Sequence, residues 1–359
     1  MTKFFCISRH WALKRTDEPT PSFWLTILQV AHEWSLQAHN QKKPTFLARK
    51  RDAVPTYADS MSTSQTTQSQ QVAVVTGTNS GIGRATAIYL AQQGYRVFGT
   101  VRSLDKAAKL MALAEKLGVA IELVEMDVAD DASVRQGFAD IFRATPRVDV
   151  LINNAGIGGN GVTEETTPEQ YFDSFNVNVV GVVRCTQQVL PKMRETKSGT
   201  IVNISSIVGR IAAVAQSPYV TSKWALEGLT EGLAHEVAPF GIRVVMIEPG
   251  ITKSSIFMKN IDAPNASGAY DSHYRRMLQF YAAGIPHATD PTEVGALIHH
   301  AITTATPQLR YPCSWGGAEF IEGRAKMSDA DWIALGAVQN DTDYEVAFKA
   351  AFGIDISQS

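Results

Sequence analysis

Apolar and polar positions alternate along most of this chain in a way that predicts strands separated by helices. Short runs rich in β-branched residues are followed by longer segments in which apolar residues recur every three or four positions. This alternation is typical of a parallel sheet covered by crossover helices. The predicted strands are Gln71–Thr76, Tyr95–Thr100, Ala120–Met126, Val148–Ile152, Thr200–Ile204, Ile242–Ile247 and Leu309–Tyr311.

The segments between these strands predict helices, of which one is long and interrupted only by Pro191 near its end. Residues 251–290 show no clear period. The pattern as a whole predicts an α/β fold, a single Rossmann-type doubly wound parallel sheet of about seven strands with helices on both faces. The predicted helices are Ile82–Gln93, Asp131–Ala144, Glu169–Met193, Tyr219–Ala238 and Thr292–Thr303.

The first sixty residues differ from the rest of the chain. They hold nine basic and five acidic residues, whereas the remainder is net acidic, and Phe23–Leu36 within them has the spacing of a short amphipathic helix. A polar Ser/Thr/Gln tract follows and is typical of a flexible linker. We therefore expect an extension that is disordered or weakly helical (1–60), a linker (61–71), the main domain (72–313) and a C-terminal extension (314–359).

Two interpretations of the N-terminal segment stay open. Met61 stands directly before the polar tract, so it could be the true start, which would make the upstream segment a gene-model extension. The alternative is a transit or membrane-surface segment, favoured by its basic residues and its amphipathic stretch. Asp17, Glu18 and Glu33 count against a transit peptide.

Composition narrows the function classes. The apolar fraction of 45% and the charged fraction of 19% are ordinary for a globular protein, and a net charge of −2 argues against a nucleic-acid partner. Cys6, Cys185 and Cys313 are widely spaced, which fits a reducing compartment, predicts a cytoplasmic protein and argues against a zinc site. No apolar run is long enough to span a bilayer.

A glycine-rich turn follows the first predicted strand and opens a helix. Glycine allows close approach to the backbone, and the N–H groups at a helix N-terminus attract anionic groups such as a pyrophosphate. The spacing departs from the common Gly-x-Gly-x-x-Gly fingerprint. The residues of the turn expected to contact a dinucleotide are Gly77, Asn79, Ser80, Gly81, Ile82 and Gly83.

Further along the chain a tyrosine and a lysine are four residues apart, so Tyr219 and Lys223 share one face of a predicted helix. Ser206 precedes the tyrosine by thirteen residues, and Asn153-Asn154-Ala155-Gly156 lies between the serine and the glycine turn. Taken together and in this order, these motifs resemble the short-chain dehydrogenase/reductase family over about residues 71–313. The resemblance implies reversible hydride transfer between a nicotinamide cofactor and a carbonyl or alcohol.

The end of the second strand favours NADP over NAD. An acidic residue there would bind the ribose 2′-OH of NAD and repel the 2′-phosphate of NADP. The segment carries no acid and offers Arg102, whose planar guanidinium suits a phosphate. A solvated surface arginine is the alternative; Asn79 and Ser103 could add hydrogen bonds to the phosphate.

The resemblance also implies catalytic roles. Tyr219 would be the general acid in reduction and the general base in oxidation, and the ammonium of Lys223 would lower its pKa and hydrogen-bond the nicotinamide ribose. Ser206 would donate a hydrogen bond to the substrate oxygen; its neighbour Ser205 would point the other way in an extended chain. Asn178 would hold a water in a proton relay, or it would make an interhelical hydrogen bond.

Other matched positions would hold the cofactor. Asp127 would contact the adenine amino group, with a helix cap as the alternative, and the turn after the sixth strand would hold the carboxamide. The hydroxyl that anchors that turn falls on Ser254, where threonine is usual, and Thr252 is also available. The matched residues are Asp127, Val128, Asn154, Ala155, Gly156, Pro249, Gly250, Thr252 and Ser254.

The substrate is expected to be an apolar carbonyl or alcohol of steroid, retinoid or similar type, handled by a homodimer or homotetramer. A cofactor-binding sensor of the same fold is the alternative function, although such proteins often lose the Tyr or the Lys. Apolar side chains in residues 251–290 would line the pocket, or would pack a lid or a dimer contact. They are Ile256, Phe257, Met258, Tyr270, Tyr274, Met277, Phe280 and Tyr281.

Overall fold

The computed structural model describes residues 70–254 and 265–357. The predicted N-terminal helix, most of the polar linker and the candidate pocket residues Ile256, Phe257 and Met258 lie outside these ranges. No helix within the described residues is long and apolar enough to cross a membrane.

Seven parallel strands form one sheet in the order β3-β2-β1-β4-β5-β6-β7. The chain leaves the central strand β1 toward one edge and later returns to pair β4 with its other side. This reversal creates a crevice at the carboxyl ends of the strands, where ligands bind in open α/β sheets. The strands are β1 (Val72–Val75), β2 (Arg96–Val101), β3 (Glu122–Glu125), β4 (Val150–Asn153), β5 (Gly199–Ile204), β6 (Ile242–Pro249) and β7 (Arg310–Cys313).

Helices cover both faces of the sheet, as the alternating pattern predicts, so the doubly wound α/β fold is confirmed. Side chains from opposite faces of the same strands enter two separate apolar cores. The helices are α1 (Gly81–Gln92), α2 (Ala108–Leu117), α3 (Asp131–Ala144), α4 (Pro168–Phe175), α5 (Gly181–Thr196), α6 (Ser217–Val237), α7 (Asp271–Gly284), α8 (Pro291–Thr303), α9 (Gly317–Lys326), α10 (Asp329–Ala337) and α11 (Asp341–Phe352).

The predicted long helix over residues 169–193 is interrupted. A π-helical turn, Asn176–Val180, separates α4 from α5. Such a turn admits one extra residue, which rotates the following face of the helix, and π turns are frequent at functional sites. Here the rotation buries the polar side chain of Asn178 between helices.

Residues 314–357 form three helices that pack next to the start of α6. Their aromatic side chains join a third apolar core with Ile207 and Val208, which follow β5. Helix α7, in the segment that lacks a clear period, also contributes Phe280 to this core. The C-terminal segment therefore supports one end of the crevice. Its buried members are Phe320, Leu335, Tyr344, Phe348, Phe352, Ile354 and Ile356.

Candidate active site

A cavity of about 410 Å³ opens at the carboxyl ends of the strands. Nearly every residue that the sequence nominates lies on its wall, whereas Gly83 and Asn178 lie behind it. The nominated residues that line it are Gly77, Asn79, Ser80, Gly81, Ile82, Arg102, Asp127, Val128, Asn154, Ala155, Gly156, Ser206, Tyr219, Lys223, Pro249, Gly250, Thr252 and Ser254.

The turn between β1 and α1 requires glycine at two positions. Gly77 has φ +71° and Gly81 has φ +56°, a region that other L-residues rarely adopt. A Cβ on Gly77 would lie 2.9 Å from the Cα of Ala155. The backbone of this turn therefore forms part of the cavity wall with no side chain in the way.

Gly83 does not line the cavity but leaves room for the side chain that supports the glycine turn. A Cβ at this position would lie 2.2 Å from Nδ2 of Asn154, which donates hydrogen bonds to the carbonyls of Thr76 (2.8 Å) and Gly77 (3.2 Å). The hydroxyl of Thr76 in turn accepts from the backbone N–H groups of Asn154 and Ala155, both at 2.9 Å. Asn154 therefore braces the glycine turn against the end of β4.

Helix α1 begins at this turn without a side-chain cap. Ser80 is its N-cap in extended conformation, and its hydroxyl makes no capping hydrogen bond. The first turn carries no acidic residue. The N–H groups and the positive end of the helix dipole consequently remain available to an anion.

Two cations stand at the rim beside the second strand. Arg102 lines the cavity and is exposed, so its proposed contact with a 2′-phosphate stays a prediction. Lys106, in the short 3₁₀ turn Leu104–Ala107, lines it too and was missed, although its spacing four residues after Arg102 could have pointed to it. Ser103 is turned away, since its hydroxyl donates to Asp105.

The region after β3 matches the expected adenine side of a dinucleotide site. Asp127 and Val128 line the cavity there. Oδ1 of Asp127 accepts from the backbone N–H of Ala129 at 3.0 Å, so one carboxylate oxygen fixes its own turn. The cap of α3 is Asp130, which accepts from Ser133 at 2.6 Å, so capping does not account for Asp127.

The loop after β6 is held by the chain that follows β7. The N–H of Gly250 donates to Cys313 (2.8 Å), and that of Ile251 donates to Trp315 (3.0 Å). A Cβ on Gly250 would lie 2.1 Å from the carbonyl oxygen of Trp315, so only glycine fits. Thr252 lines the cavity and shares a 2.7 Å hydrogen bond with Ser314.

Ser254 reaches the opposite side of the same cavity, beside the glycine turn. Its Cβ would be 3.1 Å from a Cβ placed on Gly81. The structure thus brings both candidate hydroxyls, Thr252 and Ser254, to the cavity and does not choose between them.

Ser206, Tyr219 and Lys223 converge at the inner part of the cavity. Nζ of Lys223 lies 5.6 Å from the centre of the Tyr219 ring, as expected one helical turn apart, and donates to the carbonyl of Ile204 at 2.8 Å. The hydroxyl of Ser206 donates to Pro249 at 3.3 Å and accepts from Val208. The helix, the end of β5 and the end of β6 therefore fix the three side chains together.

Burial dominates the electrostatics of this cluster. It raises the pKa of Tyr219 to about 12, although a hydrogen bond with Ser206 acts in the opposite direction. Burial also lowers the pKa of Lys223 to about 8, which the charge of Glu227 partly opposes. Burial therefore shifts the pKa of Tyr219 in the direction opposite to the effect expected of the Lys223 ammonium, and that effect stays a prediction.

Asn178 is buried, with 1% of its surface exposed. Its Nδ2 donates to Ile157 (2.9 Å) and Ser222 (2.9 Å), and its Oδ1 accepts from the N–H of Ile157 (2.9 Å). The contact with Ser222 is the interhelical hydrogen bond that stood as the alternative. Both Oδ1 of Asn178 and Nζ of Lys223 lie within 4.0 Å of the place that a Cβ on Gly156 would occupy. Its part in a proton relay stays a prediction.

Ser205 points away from Ser206, as the extended chain predicts. Its hydroxyl donates to Glu227 at 2.5 Å, and Glu227 also pairs with Arg310 at 3.0 Å. Glu227 is buried and lies one helical turn beyond Lys223. Sequence reasoning missed this residue, although Tyr219, Lys223 and Glu227 recur every four positions.

The remainder of the cavity is walled by apolar and polar side chains. Of the nominated residues, Phe280 and Tyr281 line it, while Tyr274 and Met277 are buried and do not. Tyr270 instead hydrogen-bonds Glu164 at 2.5 Å outside the cavity. Sequence reasoning missed further wall residues, among them Asn160, Ile207, Val208 and Gln216. No group of acidic, histidine or cysteine side chains that could hold a metal occurs among the described residues.

Comparisons with known proteins agree with this geometry. The model of the family described as short chain dehydrogenase matches residues 71–265. An uncharacterized oxidoreductase of Bacillus subtilis, YusZ, is 36% identical over 69% of this chain and 90% of its own. The 3-ketodihydrosphingosine reductase of Bacteroides thetaiotaomicron is 35% identical over 67% of this chain and 86% of its own.

Solved structures show the same likeness. A short-chain dehydrogenase from Streptomyces avermitilis has a TM-score of 0.66 and 34% identity, covering 76% of this chain and all of its own. Actinorhodin polyketide ketoreductase with NADPH has a TM-score of 0.58 and 31% identity, covering 68% of this chain and 95% of its own. The family match and the similarity in fold show that the chain belongs to the short-chain dehydrogenase family of oxidoreductases.

Proposed function

We propose that this protein is an NADP-dependent oxidoreductase that interconverts an apolar ketone or aldehyde and the corresponding alcohol. The observation that carries this proposal is the single cavity that joins the glycine turn to Ser206, Tyr219 and Lys223. Such an arrangement can place a nicotinamide next to a proton donor. The names of the relatives, a 3-ketodihydrosphingosine reductase and a polyketide ketoreductase, support carbonyl reduction.

The residues present fit NADP. The glycine turn leaves no side chain between its backbone and the cavity, which suits a pyrophosphate at the N-terminus of α1. Arg102 and Lys106 supply two positive charges at the rim where a 2′-phosphate would lie. The NADPH bound to the ketoreductase relative also supports this choice over NAD.

The chemistry divides between the cofactor and the chain. When bound, the nicotinamide supplies or accepts the hydride. Ser206 donates a hydrogen bond to the substrate oxygen, and Tyr219 transfers its phenolic proton to that oxygen during reduction. Lys223, one helical turn from Tyr219, would hold the nicotinamide ribose through its ammonium. The convergence of the three side chains and the family resemblance support these roles.

Burial of Tyr219 suits its proposed role as proton donor. It raises the pKa of the phenol to about 12, so the phenol is protonated at neutral pH, the form that donates a proton in reduction. Oxidation of an alcohol needs the tyrosinate, which burial disfavours.

The test is consumption of NADPH and NADH with a panel of apolar ketones and aldehydes. We expect turnover with NADPH, a preference for NADPH in kcat/KM, and a loss of about 10² or more in kcat for Tyr219→Phe with cofactor binding retained. The alternative function, a cofactor-binding sensor, predicts tight NADPH binding without turnover of any carbonyl. Near-normal kcat in Tyr219→Phe would refute the assignment of the proton donor.

We also propose a homodimer or homotetramer. Trp224 on α6 and Phe172 on α4 are 52% and 72% exposed, although the two helices pack together. Large apolar side chains so exposed on adjoining helices are typical of a protein interface. Size-exclusion chromatography with light scattering tests this assignment. Residence in the cytoplasm remains a prediction from the spacing of the cysteines.

A further inference from the structure

Gln216 lies at the N-terminus of α6, three residues before Tyr219. The segment around it has two locally unfavourable features. Helices prefer Ser, Thr, Asp or Asn as N-cap, yet the N-cap here is a glutamine whose side chain makes no capping hydrogen bond. The preceding residue, Ala215, has φ +55°, a left-handed conformation that is uncommon for alanine. Local costs of this kind concentrate at functional sites.

The strained segment is fastened to the loop after β4. The N–H of Gly161 donates to Ala215 at 2.7 Å, and the N–H of Ser217 donates to Gly161 at 3.0 Å. This pairing fixes the backbone on both sides of Gln216. It also places Asn160, the residue before Gly161, on the same cavity wall.

The side chain of Gln216 is available to a molecule in the cavity. The residue is 6% exposed and lines the cavity, and its side chain makes no capping hydrogen bond with α6. An amide in such a place can donate to a bound molecule or accept from it.

The other residues of the cavity wall indicate what a bound molecule can be. Tyr219 and Ser206 mark the reacting oxygen, and Gln216 lies one helical turn before Tyr219. Phe280 and Val208 provide apolar wall. Asn160 accepts from the hydroxyl of Tyr281 at 3.5 Å, so these two polar side chains face each other.

We propose that Gln216 is a specificity-determining residue that hydrogen-bonds a second oxygen of the substrate. The substrate class is a ketone with a second carbonyl or hydroxyl close to the reacting carbonyl and an apolar chain beyond it. An amide both donates and accepts, so it can bind either group. This inference rests on the proposed function and narrows its substrate.

The test compares two ketones of equal length. Ethyl 3-oxohexanoate carries a second carbonyl two carbons from the ketone, and 4-nonanone lacks it. An ester group makes the neighbouring ketone easier to reduce in any active site. The informative quantity is therefore the change in kcat/KM that Gln216→Leu causes for each substrate. We expect kcat/KM to fall about tenfold for the keto ester, as for one lost hydrogen bond, and to change less than twofold for 4-nonanone.

Phe280→Leu is the matched control in the same cavity. It removes apolar contact and should change kcat/KM for both ketones in parallel. Thermal unfolding of both variants checks that each is folded. Equal losses on the two ketones in Gln216→Leu would overturn the assignment.

Binding distinguishes this inference from the proposed function. Calorimetric titration of each ketone into the NADP+ complex, which has no hydride to transfer, measures binding without turnover. We expect wild-type protein to bind the keto ester more tightly than 4-nonanone and Gln216→Leu to lose that difference. Binding without turnover would refute the reductase and support the role of Gln216; equal binding of the two ketones to wild type would refute that role.

Discussion

At the scale of single residues, the candidate site depends on a lysine held in an unfavourable environment. Lys223 is 6% exposed and donates to one backbone carbonyl, that of Ile204. Its charge is opposed by burial and aided by Glu227. Transferring a charge from water into the protein interior costs several kcal/mol unless the charge is fully paired. We attribute the presence of this destabilising lysine to its function.

Lys223→Met should stabilise the protein near neutral pH. The lysine pKa falls from 10.5 to about 8 on folding, so between these values the unfolded chain binds more protons than the folded one. The penalty is therefore complete below pH 8 and disappears as pH rises to 10.5. We expect a gain of about 1–3 kcal/mol in the free energy of unfolding at pH 7 that shrinks by pH 10.

Urea unfolding of wild type and Lys223→Met at pH 7 and pH 10 measures this difference. The difference between the free energies of unfolding of the two proteins cancels the contribution of every group that titrates alike in both. A gain that is the same at the two pH values would show that the buried charge is not its source.

The second prediction for single residues concerns Arg102 and Lys106, the two cations at the rim of the cavity. Arg102→Ala and Lys106→Ala should each raise the Kd for NADPH about 5–10-fold and leave that for NADH within twofold, because each removes one charge facing a 2′-phosphate. The loss should shrink at high salt. Lys109→Ala is the matched control, since Lys109 is exposed nearby on α2 and does not line the cavity. Equal losses for both cofactors would contradict the assignment.

At the scale of elements, helix α7 is attached to α11 through one buried arginine. Arg276 is 3% exposed, pairs with Asp341 at 3.0 Å and donates to Val338 at 2.7 Å. Its guanidinium lies 4.1 Å from the centre of the Tyr344 ring. Phe280 and Tyr281, on the same helix, line the cavity, so this attachment positions part of the substrate wall.

Arg276→Met should destabilise the protein by about 2–4 kcal/mol, because it leaves buried groups without their partner. It should also raise KM for the ketone more than it lowers kcat, since the wall moves and the proton donor does not. Arg275→Met is the matched control: Arg275 pairs with the same Asp341 at 2.9 Å but is about half exposed, so its loss should cost less than about 1 kcal/mol. Equal effects of the two variants in urea unfolding would refute the distinction.

The sequence predicts the strands and most sheet-covering helices because their apolar periods are strong. Helix α7 escapes prediction because a charged residue, Arg276, occupies a buried position and breaks the apolar period; its partner Asp341 is far along the chain. The π turn before α5 could not be predicted for a different reason, since one extra residue per turn leaves no mark on composition.

The candidate residues on the cofactor side of the site could be predicted because glycine and polar residues directly follow the predicted strands. Gln216 could not be predicted because its proposed role depends on the cavity that it lines, which only the folded structure shows.

At the scale of the whole molecule, the sheet seen in the described residues begins close to the polar tract. The first strand starts at Val72, and the family match begins at residue 71. Within the described ranges 70–254 and 265–357, the sheet and its helices form three apolar cores. The expected division into an extension, a linker and a main domain remains a proposal.

A chain that starts at Met61 should therefore keep its stability and its activity. Among the described residues the cores of the sheet begin at Val72, and the family match begins at residue 71, so we expect the sheet and the site to form without residues 1–60. Thermal unfolding and kcat/KM with NADPH should match those of the full chain within error. A drop of several degrees or a large loss of turnover would show that the segment packs on the domain.

The hydrogen bond from Ile251 to Trp315 joins two parts of the chain that a protein engineer would treat as separate modules. One is the loop expected to grip the nicotinamide, and the other leads into the helices behind the substrate wall. A chimera that exchanges everything after residue 313 with a homologue would therefore alter cofactor grip together with substrate choice. Recombination libraries for this protein should place their crossover before β6, so that loop and support are inherited as a pair.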